Sequence, residues 1–210
     1  GTNGLKDKAI DLYTILIDRE PNNPVWGEIK ANLFPNIDDL LVYLKDAWEK
    51  DPQNEKKAKA FASTAIQASE WAMAVAPLEF LISKEPENVG YLTQVGNVYN
   101  KLENSTKSEE VFSKLISLEP ANRDHYFYFG KALMEAGKYS QARTQFLKAS
   151  EVGSNWALPI FYEGFLYEQA AAGCTDFDRK VVYLLAQNTY RRALNMDPAL
   201  SEAKDRINAL

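Results

Sequence analysis

The sequence predicts an all-α fold of repeated antiparallel helix pairs, and three observations carry that prediction. First, Tyr126, Phe129, Gly130 and Leu133 fall at i, i+3, i+4 and i+7, one face of a helix, and after Gly137 the residues Tyr139, Ala142, Phe146 and Ala149 mark the face of a second. Second, one phrase recurs: Glu20-Pro21-Asn22-Asn23, Asp51-Pro52-Gln53-Asn54, Glu85-Pro86-Glu87-Asn88 and Glu119-Pro120-Ala121-Asn122 all read acid, Pro, any residue, Asn. Their prolines are spaced by 31, 34 and 34 residues; a further 34 leads to Ser154, and 44 more to Pro198. Pro ends one helix because its ring excludes the helical conformation before it, and Asn caps the next by accepting a bond from the free N–H groups. Third, Gly96, Gly130 and Gly164 stand one per period, where helix axes can approach closely.

The residues Tyr126, Phe129-Gly130, Leu133, Gly137, Ala142, Phe146 and Ala149 resemble the tetratricopeptide repeat, whose period is about 34 residues. The resemblance implies a right-handed superhelical solenoid of antiparallel helix pairs, one domain over residues 1–210, with the first helix of each pair lining a concave groove.

Taken in order, residues 5–19 read as a helix whose Ala9, Tyr13 and Leu16 match the second-helix columns Ala142, Phe146 and Ala149. A second helix without its first, together with Gly1 in place of Met, predicts either a truncated chain or an N-terminal cap. Residues 23–50 form a shorter unit, with Pro24 at a first helical position, Trp26 in the aromatic column and Pro35-Asn36 between the helices; Leu40, Leu44 and Ala47 take the second-helix columns. The small residue is replaced near Gly27-Glu28, which leaves the register of that first helix open. Residues 54–84 supply Ala58, Phe61, Ala62 and Ala65, then Ala74, Leu78 and Leu81, with Ser69 as the cap at the turn. Pro77 inside the second helix removes a backbone bond, so a kink is expected there.

Residues 88–118 supply Leu92, Val95, Gly96 and Tyr99, then Ser108, Phe112 and Leu115, and residues 122–152 are the reference unit. In residues 156–196 the columns are Ile160, Gly164 and Tyr167, then Ala186, Tyr190 and Ala193, separated by ten extra residues; 177–196 reads as an unusually long second helix. Glu163 stands in the column of Val95 and Phe129, so the register of this first helix is also open. Residues 200–210 close the array as a capping helix.

With 46% hydrophobic and 25% charged residues and a net charge of −5, the chain is a folded globular one with no general attraction for nucleic acid; its longest basic runs are pairs such as Lys56-Lys57 and Arg191-Arg192. The apolar stretch 60–83 carries Glu70, Glu79 and Pro77, which argues for a buried helix pair and against membrane insertion. A single cysteine, Cys174, and a single histidine, His125, exclude an intrachain disulfide and leave no metal-ligand set, and no glycine-rich phosphate loop suggests a cofactor. Nothing here selects a cellular compartment. Asn104-Ser105-Thr106 matches a glycosylation triplet but falls at a helix turn.

No catalytic residue stands out. His125 follows Asp124 in the first turn of a helix, a position expected to be solvated, and Cys174 lies in a turn with no base beside it. A non-enzymatic scaffold for protein–protein interaction is therefore expected, holding a peptide or partner segment in the groove. By the resemblance, the groove residues lie between the core columns of the first helices. They are Thr93, Gln94, Asn97, Asn100 and Lys101, then Phe127, Tyr128, Lys131 and Met134, then Phe161, Tyr162, Phe165 and Glu168. Two readings of this aromatic stripe stay open: anchors for a ligand, or filler between adjacent first helices. Some members of the family grip a C-terminal carboxylate with cations at set columns; here those columns hold Lys59 and Ser63, Gln94, then Asp124 and Tyr128, which disfavours an acidic tail. The alternative role is structural, as an assembly module or a link to another domain, with a homodimer through Val181, Val182 or Leu185 of the long last helix pair.

Overall fold

The structure, a computed structural model, describes residues 2–20, 25, 33–34, 36–154 and 156–210. Among the described residues there are eleven α-helices and no strand: α1 (Thr2–Arg19), α2 (Ile37–Glu49), α3 (Glu55–Gln67), α4 (Trp71–Lys84), α5 (Val89–Lys101), α6 (Ser105–Leu118), α7 (Arg123–Glu135), α8 (Tyr139–Val152), α9 (Ala157–Ala171), α10 (Asp176–Met196) and α11 (Ser201–Ala209). The expected roles of Pro21, Asn23, Pro24, Trp26, Gly27-Glu28 and Pro35 lie outside the described residues. The chain divides into two compact units, Gly1–Pro77 and Leu78–Leu210.

In the first unit α2 packs against α3. Asn36 caps α2 by accepting a 2.8 Å bond from the Asp39 N–H. Ala58, Phe61, Ala62 and Ala65 are all buried, and Trp48 meets the Phe61 ring at 5.7 Å. Two neighbouring columns are corrected by one residue: Ile10 and Leu41 are buried, whereas Ala9, Leu16, Leu40, Leu44 and Ala47 are only half-buried. A one-residue rotation of 100° is within the width of an apolar helix face, so spacing alone chooses poorly between adjacent Leu residues. Helix α4 runs through a fully buried Pro77 as one continuous helix.

In the second unit α5 packs on α6, α7 on both α6 and α8, and α9 on both α8 and α10, while α11 covers α10. First and second helices therefore stack in alternation. The glycine columns set how closely: a Cβ on Gly130 would stand 2.6 Å from the Phe146 ring, on Gly164 2.8 Å from the Tyr190 ring, and on Gly96 3.1 Å from the Phe112 ring. Phe112, Phe146 and Tyr190 are fully buried against these gaps. Tyr139, expected in the core, is 40% exposed instead, at the first position of α8.

Two local devices repeat. The turns within residues 54–84, 88–118 and 122–152 each use one left-handed residue, Ser69 (φ 60), Glu103 (φ 55) and Gly137 (φ 72). In each the next residue donates back to the helix, Glu70 N to Ala65 O at 2.9 Å, Asn104 N to Tyr99 O at 2.9 Å and Lys138 N to Leu133 O at 2.8 Å, which satisfies carbonyls left free at the helix end. Ser69 is thus the left-handed cap that Gly137 is in the reference unit.

The other device is the acid-Pro-x-Asn phrase. The Asn54, Asn88 and Asn122 side chains accept from the N–H groups of Lys57, Tyr91 and Asp124, and their amides donate to Asp51, Glu85 and Glu119 at 3.0, 2.7 and 3.0 Å. The acid thus fixes which way the amide faces, so the capping oxygen points at the helix. Hydrogen bonds from Asn54 and then Lys57 hold Asp51 below the usual carboxylate range, and those of Asn122 and then His125 do the same for Glu119.

Candidate functional site

The expected groove residues all lie on α5, α7 and α9 of the second unit, and the structure sorts them into two sets. The first set belongs to the fold. Phe127 is 5% exposed and is corrected from groove surface to core: its ring meets Trp156 at 4.9 Å, Tyr162 at 5.3 Å, Tyr128 at 5.5 Å and Phe146 at 5.8 Å. An aromatic at this column points between two helix pairs, so neighbouring rings enclose it. Phe161 packs on Tyr190 at 5.4 Å and against the cluster of Ala157, Ile160 and Ala193. Asn100 donates to the Tyr128 carbonyl at 3.3 Å and accepts from Ser108, which ties α5 to α7 and α6. Glu168 accepts from Tyr190 Oη at 2.7 Å and Arg206 Nη1 at 2.8 Å.

The second set keeps accessible surface. Gln94 is exposed; Asn97, Lys131, Met134 and Phe165 are half-buried. Tyr128 and Tyr162, expected to be exposed, are half-buried as well: Tyr128 stacks on Phe112 at 6.3 Å and Tyr162 leans on Phe146 at 5.4 Å. Lys131 Nζ lies 5.6 Å from the centre of the Tyr162 ring, and Arg206 lies 5.2 Å from that of Phe165. Burial, and then the charges of Glu135 and Glu202, hold the Tyr162 phenol above its ordinary range. Of the rings in the stripe, Phe127 is buried as filler between helix pairs, whereas Phe161, Tyr128, Tyr162 and Phe165 are half-buried.

Two further expectations are corrected by burial. His125 is 3% exposed, not solvated, with Nε2 at 3.0 Å from Glu119 Oε2, because the first turn of α7 tucks under the acid of the preceding phrase. Glu163 is 2% exposed and sits in the core column, which settles the register of α9. Arg143 of α8 reaches it, Nε donating at 2.9 Å, and Tyr167 Oη donates at 3.2 Å; Arg192 stands 3.7 Å away. No residue-by-residue reading signalled that Arg143, 20 residues back in the preceding unit, would neutralise this carboxylate.

Other candidates have structural partners. Asn104 of the glycosylation triplet caps α6 by accepting from the Lys107 N–H at 3.3 Å, and Cys174 Sγ donates to the Ala170 carbonyl at 3.5 Å. Among the described residues no group of three or more His, Cys, Asp and Glu could hold a metal ion, and no helix is long and apolar enough to cross a membrane.

Stacked helix pairs that in residues 88–118 and 122–152 repeat a glycine contact, a left-handed turn and an Asn cap at a 34-residue period define the helical-repeat class. Within that class, a family model for the tetratricopeptide repeat matches residues 89–122, the unit that begins at the Asn88 cap. The chain carries a tetratricopeptide repeat over those residues. It is 21% identical over 208 residues to Anaphase-promoting complex subunit 3 of Schizosaccharomyces pombe (strain 972 / ATCC 24843), covering 91% of this chain but only 30% of that relative. Among solved structures it resembles MamA from Desulfovibrio magneticus RS-1 (residues 41 to the end), with TM-score 0.65, 14% identity and coverage of 91% and 97% of the two chains. It also resembles YrrB, a tetratricopeptide-repeat protein with an unusual peptide-binding site, with TM-score 0.62, 18% identity and coverage of 92% and 96%. These likenesses establish the fold: all-α, built from antiparallel tetratricopeptide helix pairs.

Proposed function

We propose that the chain is a non-enzymatic protein-interaction scaffold that holds a peptide or partner segment along α5, α7 and α9. The observation that carries this reading is the row Gln94, Asn97, Tyr128, Lys131, Met134, Tyr162 and Phe165. It combines half-exposed aromatic edges, which make large rigid anchors, with amides able to bond an extended backbone. YrrB, whose fold this chain shares, has a peptide-binding site, and Anaphase-promoting complex subunit 3 is by name part of a complex; both support the class of function.

The reading is tested with Gln94→Ala, Lys131→Ala and Tyr162→Ala in a binding assay against displayed peptides. Because Tyr162 also packs on Phe127 and Phe146, its variant is to be melted first, and a stability loss of about 1 kcal/mol is expected from the lost ring contacts. Weakened binding by the folded variants, about 1–2 kcal/mol at a tyrosine anchor, is the expected result. Full affinity in all three, with loss on substituting α6 or α8 instead, would move the interface to the second helices.

A homodimer through α10 is the finer part of the proposal. Phe177, Val181, Leu184 and Leu185 are 77%, 51%, 57% and 45% exposed, and they share one face of the first turns of α10, whereas Val182 turns toward the protein and is half-buried. Light scattering should report a dimer that Leu184→Glu dissociates; a monomer at high concentration would leave the stripe to another partner.

A further inference from the structure

The outward columns of the second helices change character in α10. Where α6 carries Thr106 and Lys107 and α8 carries Ser140 and Gln141, all exposed, α10 carries Leu184 and Leu185, 57% and 45% exposed. The repeat is built without apolar residues at these columns in α6 and α8, so packing within the stack does not call for them in α10. Val181 and Phe177 extend the stripe into the added turns, at 51% and 77% exposed. Opposite charges bound it. Asp178 lies beside the stripe near the N-terminus of α10, and Asn188 and Arg192 continue its line toward the C-terminus, all three exposed. Asp178 stands seven residues before Leu185 and Arg192 seven residues after it. Both charges keep capacity for a further partner: Thr175 Oγ1 donates to one oxygen of Asp178 at 2.6 Å, and the Arg192 side chain, 59% exposed, only approaches Glu163, at 3.7 Å, a carboxylate that Arg143 already bonds at 2.9 Å.

A helix face that runs acid, apolar, base, with its charges equally far from one central residue, is complementary to itself when turned end for end. That is the condition for a two-fold contact, in which one patch serves both copies. We propose that the stripe is covered by α10 of a second copy of this chain, antiparallel, with Leu185 on the two-fold axis. Asp178 of each copy then meets Arg192 of the other, Val181, Leu184 and Leu185 close the apolar middle, and Phe177 brings its ring to the same guanidinium. A parallel approach would set like charges side by side instead. The proposal rests on the α10 dimer above and specifies its arrangement. No groove residue lies on α10, so the contact consumes none of the groove.

The test uses the whole chain and two variants. Asp178→Arg leaves only cations at the ends of the contact, and Arg192→Asp leaves only carboxylates. Each variant alone should therefore dissociate roughly tenfold more readily than the parent in sedimentation velocity, while an equimolar mixture of the two should form a heterodimer about as tight as the parent dimer. Circular dichroism checks that Arg192→Asp, which stands near Glu163, still folds. Should it unfold, Leu185→Cys in a Cys174→Ser background reads the register, because only a residue on the two-fold axis meets its own copy closely enough for a disulfide. Covalent dimers through Leu185→Cys, and none through Asp178→Cys, are expected. A dimer that Leu184→Glu dissociates, but that ignores the charge variants and does not cross-link through Leu185→Cys, would overturn the antiparallel arrangement and keep the α10 contact. A parent chain that stays monomeric at high concentration would overturn both and leave the stripe to a helix of another protein.

Discussion

The reference unit, residues 122–152, and the last one, residues 156–196, share one contact plan and carry it out with different chemistry. In the reference unit Asn122 caps α7, Phe129 occupies the half-buried column and the Phe146 ring closes over Gly130. Thirty-four residues on, Trp156 stands in the cap position with no side-chain cap bond, and packs its ring on Phe127 at 4.9 Å and against Arg123 at 4.5 Å. Glu163 replaces Phe129 and is neutralised by Arg143, and Tyr190 replaces Phe146, its hydroxyl donating to Glu168, which Arg206 holds in turn. A cap and an aromatic contact are each worth about 1 kcal/mol, so exchanging one for the other is nearly neutral. What the pair teaches is that the acid in this core comes with linked partners. The glycine is retained in both units, because no side chain can substitute for the absence of a Cβ at 2.6–2.8 Å from a ring.

Breaking one linked set should therefore cost most. Arg143→Ala is expected to destabilise by about 3 kcal/mol, toward the low end for a buried pair because Arg192 remains 3.7 Å from Glu163. Chemical denaturation would measure it, and Arg143→Leu combined with Glu163→Leu should recover most of the loss. If Arg143→Ala melts like the parent, Glu163 is hydrated rather than buried and the two units do not differ as described.

The shared contact comes next. Gly130→Leu and Gly164→Leu should each cost about 1–3 kcal/mol through overpacking, and more than Gly96→Leu, since Gly96 leaves 3.1 Å to its ring against 2.6 and 2.8 Å. Melting temperatures that rank Gly96 first would show that the ring can move and that distance does not govern the column.

Smaller still is the turn. Ser69 holds φ 60 and Glu103 φ 55 where the reference unit has Gly137, and a side chain in that region is strained. Ser69→Gly should stabilise by roughly 0.5–1 kcal/mol, while Gly137→Ala should destabilise. Equal melts for both would mean that the left-handed turns carry no strain.

The smallest effect is on the acid side of the stability profile. The native carboxyls of Asp51 and Glu119 lie below their ordinary values of 3.8 and 4.5, so their contribution is present above those values and is lost as pH falls through the depressed ones. Melting temperature should fall in that window, and the Asp51→Asn, Glu119→Gln double variant should fall less steeply than the parent. Parallel curves would show that the acids do not support the caps.

Periodicity alone carried the repeat length, the helix pairs, the glycine column and the buried residues of residues 54–84 and 88–118, because a helix face and a Pro-Asn boundary are properties of neighbouring residues. The long last helix was legible for the same reason. The burial of Phe127, the half-burial of Tyr128 and Tyr162, the pairing of Glu163 with Arg143 and the engagement of Lys131 by a ring were not. Each depends on which side chain the adjacent repeat brings to the same place, and that is set by how α8 packs on α9 and α5 meets α7, a distance of 20 to 35 residues along the chain. Helical spacing decides which face a residue is on; only the tertiary packing decides whether that face meets solvent, a ring or an opposite charge, since burial and electrostatic pairing are fixed by neighbours in space.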